Sequence, residues 1–248
     1  MNIGIDLDGT IYLSEQLLPG AKSAINRINK KHNIFFLTNN ASSVPLSILN
    51  KVNSLLDSNF NITQIVTPLL VSVHYFNNIN KSIYVHANPE VKNYLKSFNL
   101  MINDNLENSE IALIGRFDSL DSKLINKFVD FYRSGGVIYT FNKDLTYPTD
   151  TGFVPGNGAI IKEIEKIIRV EIDSLGKPDQ IYINYLKQNS INLDYVVGDR
   201  IDTDIELGRL INANCVLVET GVYNKSHDIS SYPSVTVYKD INIFSNSL

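Results

Sequence analysis

The chain has 248 residues, of which 44% are hydrophobic and 19% charged, with a formal net charge of −4. This is the profile of an ordinary globular protein, long enough for one large domain or two modest ones, and its acidic balance argues against nucleic acid or an anionic membrane surface as a partner. The one cysteine, Cys215, excludes an internal disulfide, and the lack of a signal-like N-terminus or a bilayer-length apolar run makes a cytoplasmic location the expectation.

Strand-like and helix-like runs alternate along the chain, which predicts an α/β fold with a largely parallel sheet. Ile3 and Ile5 mark a first strand, and Pro19-Gly20 opens a helix with Ala21, Ala24, Ile25 and Ile28 at helical spacing. A buried strand at 33–38, a helix at 44–56 and a strand at 62–66 follow. Strands at 194–198, 214–218 (where Cys215 reads as a core thiol) and 235–238 would complete a doubly wound core. Between these halves lies a second alternating region, with strands near 82–87, 110–115 and 136–141 and helices near 88–98, 120–133 and 157–168. The helix at 120–133 carries Leu120, Leu124, Phe128 and Phe131 on one stripe, so it must pack on something. Asn-rich 77–80 and Ser174-Leu175-Gly176 are the natural crossing points, dividing the chain into a core of 1–78 plus 176–248 and an inserted α/β domain of 79–175.

The densest chemistry is Asp6-Leu7-Asp8-Gly9-Thr10, where the first strand should end. Alternate strand residues share a face, so Asp6 and Asp8 can look into one small volume. Two carboxylates ~4 Å apart repel by roughly 4 kcal/mol at an effective dielectric of 20, which calls for a positive partner such as a hard divalent cation. An Asp/Gly/Thr turn is the plain alternative. Thr38-Asn39-Asn40, at the end of the second strand, suits an anion such as phosphate, although taken alone these residue types more often make a helix cap or turn. Gly176-Lys177-Pro178 places a lysine before a helix running to about 188, with the proline in its first turn. Asp199, at the end of Tyr195-Val196-Val197-Gly198, could complete a cation site. Asp202 and Asp204 have a competing explanation, since Thr203 and Glu206 have capping-box spacing at a helix start.

In chain order these features resemble the four motifs of the haloacid dehalogenase (HAD) superfamily, across nearly the whole chain. Phe36-Leu37-Thr38-Asn39-Asn40 with Ser42, Asn142-Lys143-Asp144, Pro155-Gly156-Asn157-Gly158-Ala159 and Gly198-Asp199-Arg200 through Thr203-Asp204-Ile205 look like its NagD-like branch, which includes 4-nitrophenyl, phosphoglycolate and pyridoxal phosphate phosphatases. The resemblance implies a Rossmann-like core with an inserted α/β cap, and a magnesium-dependent phosphatase of a small phosphorylated metabolite. Asp6 would be the nucleophile that forms an aspartyl-phosphate. Asp8 would protonate the leaving oxygen and then activate water. Thr38 and Lys177 would hold the phosphoryl oxygens, with Asn39 and Asn40 at the entrance. Magnesium would sit on the side chains of Asp6 and Asp199 and the main-chain carbonyl of Asp8, with Asp204 behind them. Caps of this kind often mediate dimers in relatives, so a homodimer through the cap is an open expectation.

In the cap loop from Asn142 to Pro155, Tyr147 takes the place of a substrate-contacting histidine of the pyridoxal phosphate phosphatase, which counts against a pyridoxal substrate. Asp144 reads equally as a loop-structuring residue. His32, His74, His86 and His227 lack metal-ligand spacing. Two other functions fit the fold: phosphoryl transfer to another alcohol, as in mutases, and a non-catalytic binding module. The large insert between the second and third motifs counts against the former, and the complete set Asp6, Asp8, Lys177 and Asp199 against the latter.

Overall fold

The computed structural model describes residues 1–116, 122–149 and 152–248, with main chain only at 147–149 and 153. Six parallel strands form the first sheet, in the order Thr236–Tyr238, Asn214–Val218, Tyr195–Gly198, Asn2–Asp6, Asn33–Leu37, Ile65–Val66. The order reverses at Asn2–Asp6, which is flanked by the second strand of the sheet on one side and by a late one on the other. Beyond the carboxyl ends of strands at such a switch point a crevice opens.

These strands read as unbroken apolar runs because both faces of the sheet are covered. On one face Ile3, Ile5, Ile34, Phe36, Val197 and Val216 pack against the helices Ala21–Asn29, Pro45–Leu56 and Ile241–Ser245. On the other, Leu37, Val66 and Val196 meet the helices Pro68–Phe76 and Gln180–Gln188. The same apolar cluster continues into a second parallel sheet, ordered Asp173–Ser174, Val137–Thr140, Ile111–Ile114, Ile83–His86, Ile102–Asn103, through Ile83, Val85, Ile111 and Leu113. The far face of that sheet, with Ala112, Ile114 and Ile138, lies under the helices Ser122–Arg133 and Asn157–Ile168. Of the apolar stripe, Phe128 is buried there and Leu124 and Phe131 pack partly buried against the same cluster, while Leu120 lies outside the described residues. An antiparallel hairpin, Thr146–Thr149 with Gly152–Pro155, leads into Asn157–Ile168. Among the described residues no helix is long and apolar enough to cross a membrane.

Four elements depart from the pattern reading. Pro68–Phe76 left no periodic signal because Pro-Leu-Leu-Val-Ser-Val-His-Tyr-Phe is apolar on most faces, as a helix wedged between two sheets should be. The strand expected at 62–66 starts only at Ile65, since Ile62–Gln64 form one tight turn closed by the Asn61 and Gln64 side chains. Ile102–Asn103 and Asp173–Ser174 are two residues long, too short to show alternation. The wedge helix yields a stability prediction. Phe76 is buried with its ring 5.3 Å from that of Tyr139 and 5.1 Å from that of Tyr75. Phe76→Ala is expected to lower the unfolding free energy by about 3–5 kcal/mol, measured by urea denaturation.

Candidate active site

The strand Asn2–Asp6 delivers Asp6 to the crevice, and the chain then turns sharply, with the N–H groups of Thr10, Ile11 and Tyr12 all donating to Leu7 O at 3.2, 2.9 and 3.3 Å. Gly9 takes φ of +92° in this turn, a conformation that side chains resist. Asp6 Oδ1 accepts from Lys177 Nζ at 2.8 Å and Oδ2 from Thr10 Oγ1 at 3.2 Å. The Lys177 ammonium, 2% exposed, also donates to Asp204 Oδ1 at 2.6 Å and Leu37 O at 2.9 Å, so all three of its hydrogens are engaged. Burial opposes its charge, but Asp204 and Asp6 more than compensate and hold it protonated. Burial also raises the Asp6 carboxyl despite the pull of Lys177, and pushes Asp204 up to about 6.

Asp199 follows the strand Tyr195–Gly198 and is 1% exposed. Its Oδ2 accepts the main-chain N–H of Val222, whereas Oδ1 is buried with no hydrogen-bond partner among the described residues. Side chains at Gly9 or Gly221 would run into this carboxylate, so two glycines make the cradle that holds it. Asp6, Asp199 and Asp204 each offer a carboxylate oxygen within 4.8 Å of the others. Burial and the charges of Asp6 and Asp204 hold Asp199 well above the ordinary carboxylate range. Three acids around one lysine leave surplus negative charge, and an unpartnered oxygen points into it. That donor set fits a hard divalent cation. Asp204 stands differently from the other two, because Lys177 Nζ takes its Oδ1 and the Arg200 N–H its Oδ2 at 3.1 Å.

Asp8 lies at the cleft wall, half-buried, with the Tyr12 hydroxyl on its carboxylate. Burial pushes it up to about 6 against the pull of Lys51 and Lys177. The Thr38 hydroxyl lines the cleft and accepts the Asn40 N–H at 3.0 Å. Asn40 builds the turn there, its Oδ1 accepting the N–H groups of Ser42 and Ser43 at 2.9 and 3.2 Å. The Asn39 amide, at the cleft lining, is held on the Lys177 main chain and the Asp144 carboxylate. Tyr147 sits on the hairpin in register with Val154, and its side chain lies outside the described residues.

Two local expectations change. The helix after Lys177 starts at Gln180, capped by Asp179, so Pro178 precedes the cap instead of sitting in the first turn. No Thr203/Glu206 capping box forms. Glu206 pairs with Arg209, and the residues Ile201–Ile205 form a wide turn in which Ile205 N–H reaches back five residues to Arg200 O at 3.2 Å. That turn aims Asp204 at Lys177, over a Gly198 whose Cβ would strike it, while Asp202 faces outward and pairs with Arg200 at 2.8 Å.

The resulting cleft holds about 520 Å³, with Asp6, Asp8, Thr38 and Lys177 on one wall and Arg116, Asn142, Asp144 and Asn157 on the other. Arg116 left no signal in the sequence, being a lone arginine after an apolar strand. Arg200 was visible only as part of a motif string; its guanidinium bonds Asp202 and, at 3.1 Å, Thr146 O of the hairpin.

Family profiles described as haloacid dehalogenase-like hydrolase and HAD-hydrolase-like match residues 3–101 and 174–242, covering the segments that carry Asp6, Asp8, Thr38, Lys177, Asp199 and Asp204. An acid sugar phosphatase of Staphylococcus saprophyticus is 28% identical over 247 residues, spanning 96% of this chain and 94% of its own. A p-nitrophenyl phosphatase from Archaeoglobus fulgidus superposes with a TM-score of 0.86 at 22% identity, covering 100% of this chain and 98% of that one. A glycerol phosphate phosphatase from Mycobacterium tuberculosis, solved in complex with magnesium, gives 0.82 at 22% identity over 97% of this chain and 74% of that one. The chain belongs to the haloacid dehalogenase-like hydrolases.

Proposed function

We propose that this chain is a magnesium-dependent phosphatase that hydrolyses a small phosphorylated metabolite through an aspartyl-phosphate on Asp6. The observation that carries the reading is the buried meeting of Asp6, Asp199 and Lys177 at the floor of a cleft of metabolite size. In the first step an Asp6 oxygen bonds to phosphorus as the ester P–O bond breaks, and Asp8 gives its proton to the departing alkoxide. A carboxyl raised to about 6 keeps that proton at mildly acidic pH, as a general acid must. In the second step Asp8, now a carboxylate, takes a proton from water as the water attacks phosphorus, releasing inorganic phosphate and restoring Asp6. Dividing the reaction in this way suits an ester whose uncatalysed hydrolysis is among the slowest known.

The Thr38 hydroxyl offers the phosphoryl oxygens a donor, while the Lys177 ammonium, its hydrogens on Asp6, Leu37 O and Asp204, offers them its positive charge. The side chains of Asp6 and Asp199 and the main-chain carbonyl of Asp8 would hold magnesium, which supplies charge neutralisation for an anionic nucleophile meeting an anionic phosphate. We assign residues 79–175 the role of a cap over the substrate. The polar side chains it brings to the cleft, Arg116 among them, suit a hydroxylated leaving group, in keeping with relatives named acid sugar phosphatase and glycerol phosphate phosphatase.

With 4-nitrophenyl phosphate and magnesium, Asp6→Asn is expected to reduce nitrophenol release to background while melting like the parent protein. Normal turnover by that variant would exclude the nucleophile assignment. Asp8→Asn is expected to lower turnover about 10²–10⁴-fold. Magnesium is expected to raise the melting temperature of the parent protein, and Asp199→Ala to abolish the rise; an equal rise in both would remove Asp199 from the ion site.

A further inference from the structure

Asn39 is 7% exposed, and its side-chain amide is fully engaged. Oδ1 accepts the Lys177 N–H at 2.8 Å, while Nδ2 donates to Lys177 O at 3.1 Å and to Asp144 Oδ1 at 2.7 Å. The amide thus grips both sides of the main chain of one residue, in the segment that leads from Asp173–Ser174 of the second sheet to the helix Gln180–Gln188, and with its remaining hydrogen a carboxylate from the loop after Val137–Thr140. The Asn39 main chain is held from the same loop, its carbonyl accepting Asn142 Nδ2 at 2.9 Å.

Both ends of this bridge have rigid seats. A Cβ on Gly176 would lie 2.6 Å from Asn39 Oδ1, so only glycine beside Lys177 admits the approach. Asp144 comes from a loop segment whose carbonyls press on Gly156 and Gly158, where a Cβ would collide with Asp144 O and Lys143 O. The Gly158 N–H fastens Asp144 O at 2.9 Å, and Asn157 Nδ2 fastens Asn142 O at 2.9 Å. Asp144 therefore moves only with the helix Asn157–Ile168 and its sheet.

We propose that Asn39 is a positioning residue that ties Lys177 to the Asp144 loop, so that the phosphate pocket and the opposite wall of the cleft keep one fixed spacing, and that it does not itself contact phosphate. The proposal rests on the phosphatase reading. It follows that what matters at 39 and 144 is a complementary pair, one side chain donating and the other accepting.

The test is an exchange of partners. Asn39→Asp keeps the acceptor for the Lys177 N–H but sets a second carboxylate against Asp144. It is expected to lower kcat/KM for 4-nitrophenyl phosphate, and to weaken inhibition by inorganic phosphate, by roughly ten- to hundred-fold, the size of one lost hydrogen bond to a charged group. Adding Asp144→Asn to that variant restores a donor facing an acceptor and is expected to recover the share of both losses owed to Asp144, while the donation to Lys177 O stays lost. Asp144→Ala alone is expected to reproduce part of the defect. If the double variant is no better than Asn39→Asp, Asn39 touches phosphate directly and the proposal is overturned. Should Asn39→Asp fold poorly, the same exchange read in melting temperature decides, since recovery by Asp144→Asn requires the pair and no recovery refutes it. An inactive parent protein would instead overturn the phosphatase reading, leaving the melting-temperature exchange to judge the bridge.

Discussion

A lysine ammonium in a protein interior loses several kcal/mol of hydration unless acceptors replace the water. At Lys177 the replacements come from three places in the first sheet: Asp6 ending Asn2–Asp6, the Leu37 carbonyl ending Asn33–Leu37, and Asp204 beyond Tyr195–Gly198. One cation therefore stitches three neighbouring strand ends at the point where the sheet order reverses. Buried ion pairs are weak evidence for stability, because an apolar replacement is often as good. Here the acids outnumber the lysine, and the excess persists as raised carboxyls and an unpartnered Asp199 oxygen. A site arranged for stability alone would not carry that imbalance, whereas one that receives a cation and an anionic ester needs it.

The sheet and the site were legible to different degrees, for physical reasons. Continuous apolar runs such as Asn-Ile-Phe-Phe-Leu and Asn-Cys-Val-Leu-Val announce strands buried on both faces, and all six strands of the first sheet stand close to where the runs put them. Asp6 and Asp199 could be found because a carboxylate at the end of such a run has no structural reason to be there. Pro68–Phe76 was hidden by its own burial, since a helix apolar on most faces loses the period that betrays helices. Asp204 was ambiguous for another reason. The Thr203/Glu206 spacing around it mimics a helix start, and only the wide turn after Arg200 shows that its carboxylate spans Lys177 Nζ and the Arg200 N–H.

Asparagines were the hardest residues to read. Thr38-Asn39-Asn40 invites a phosphate loop or a cap, and each residue in fact does something different: Thr38 faces the cleft, Asn40 folds the turn, and Asn39 reaches across to Asp144. An amide can donate and accept at once, so residue type alone leaves its partners open. Long-range pairing across 105 residues, as between Asn39 and Asp144, has no local signature. The glycines at 156, 158 and 176 were the nearest clue, because closely spaced glycines away from turns mark backbones in contact.

The apolar cluster that runs from Val196 through Tyr182 and Phe76 to Val85 belongs to both sheets at once. Prying them apart would wet that shared interior at about 25 cal/mol for every Å² uncovered. The gap above Asp6 thus keeps a set width, because its two walls share one interior and cannot part without uncovering apolar surface.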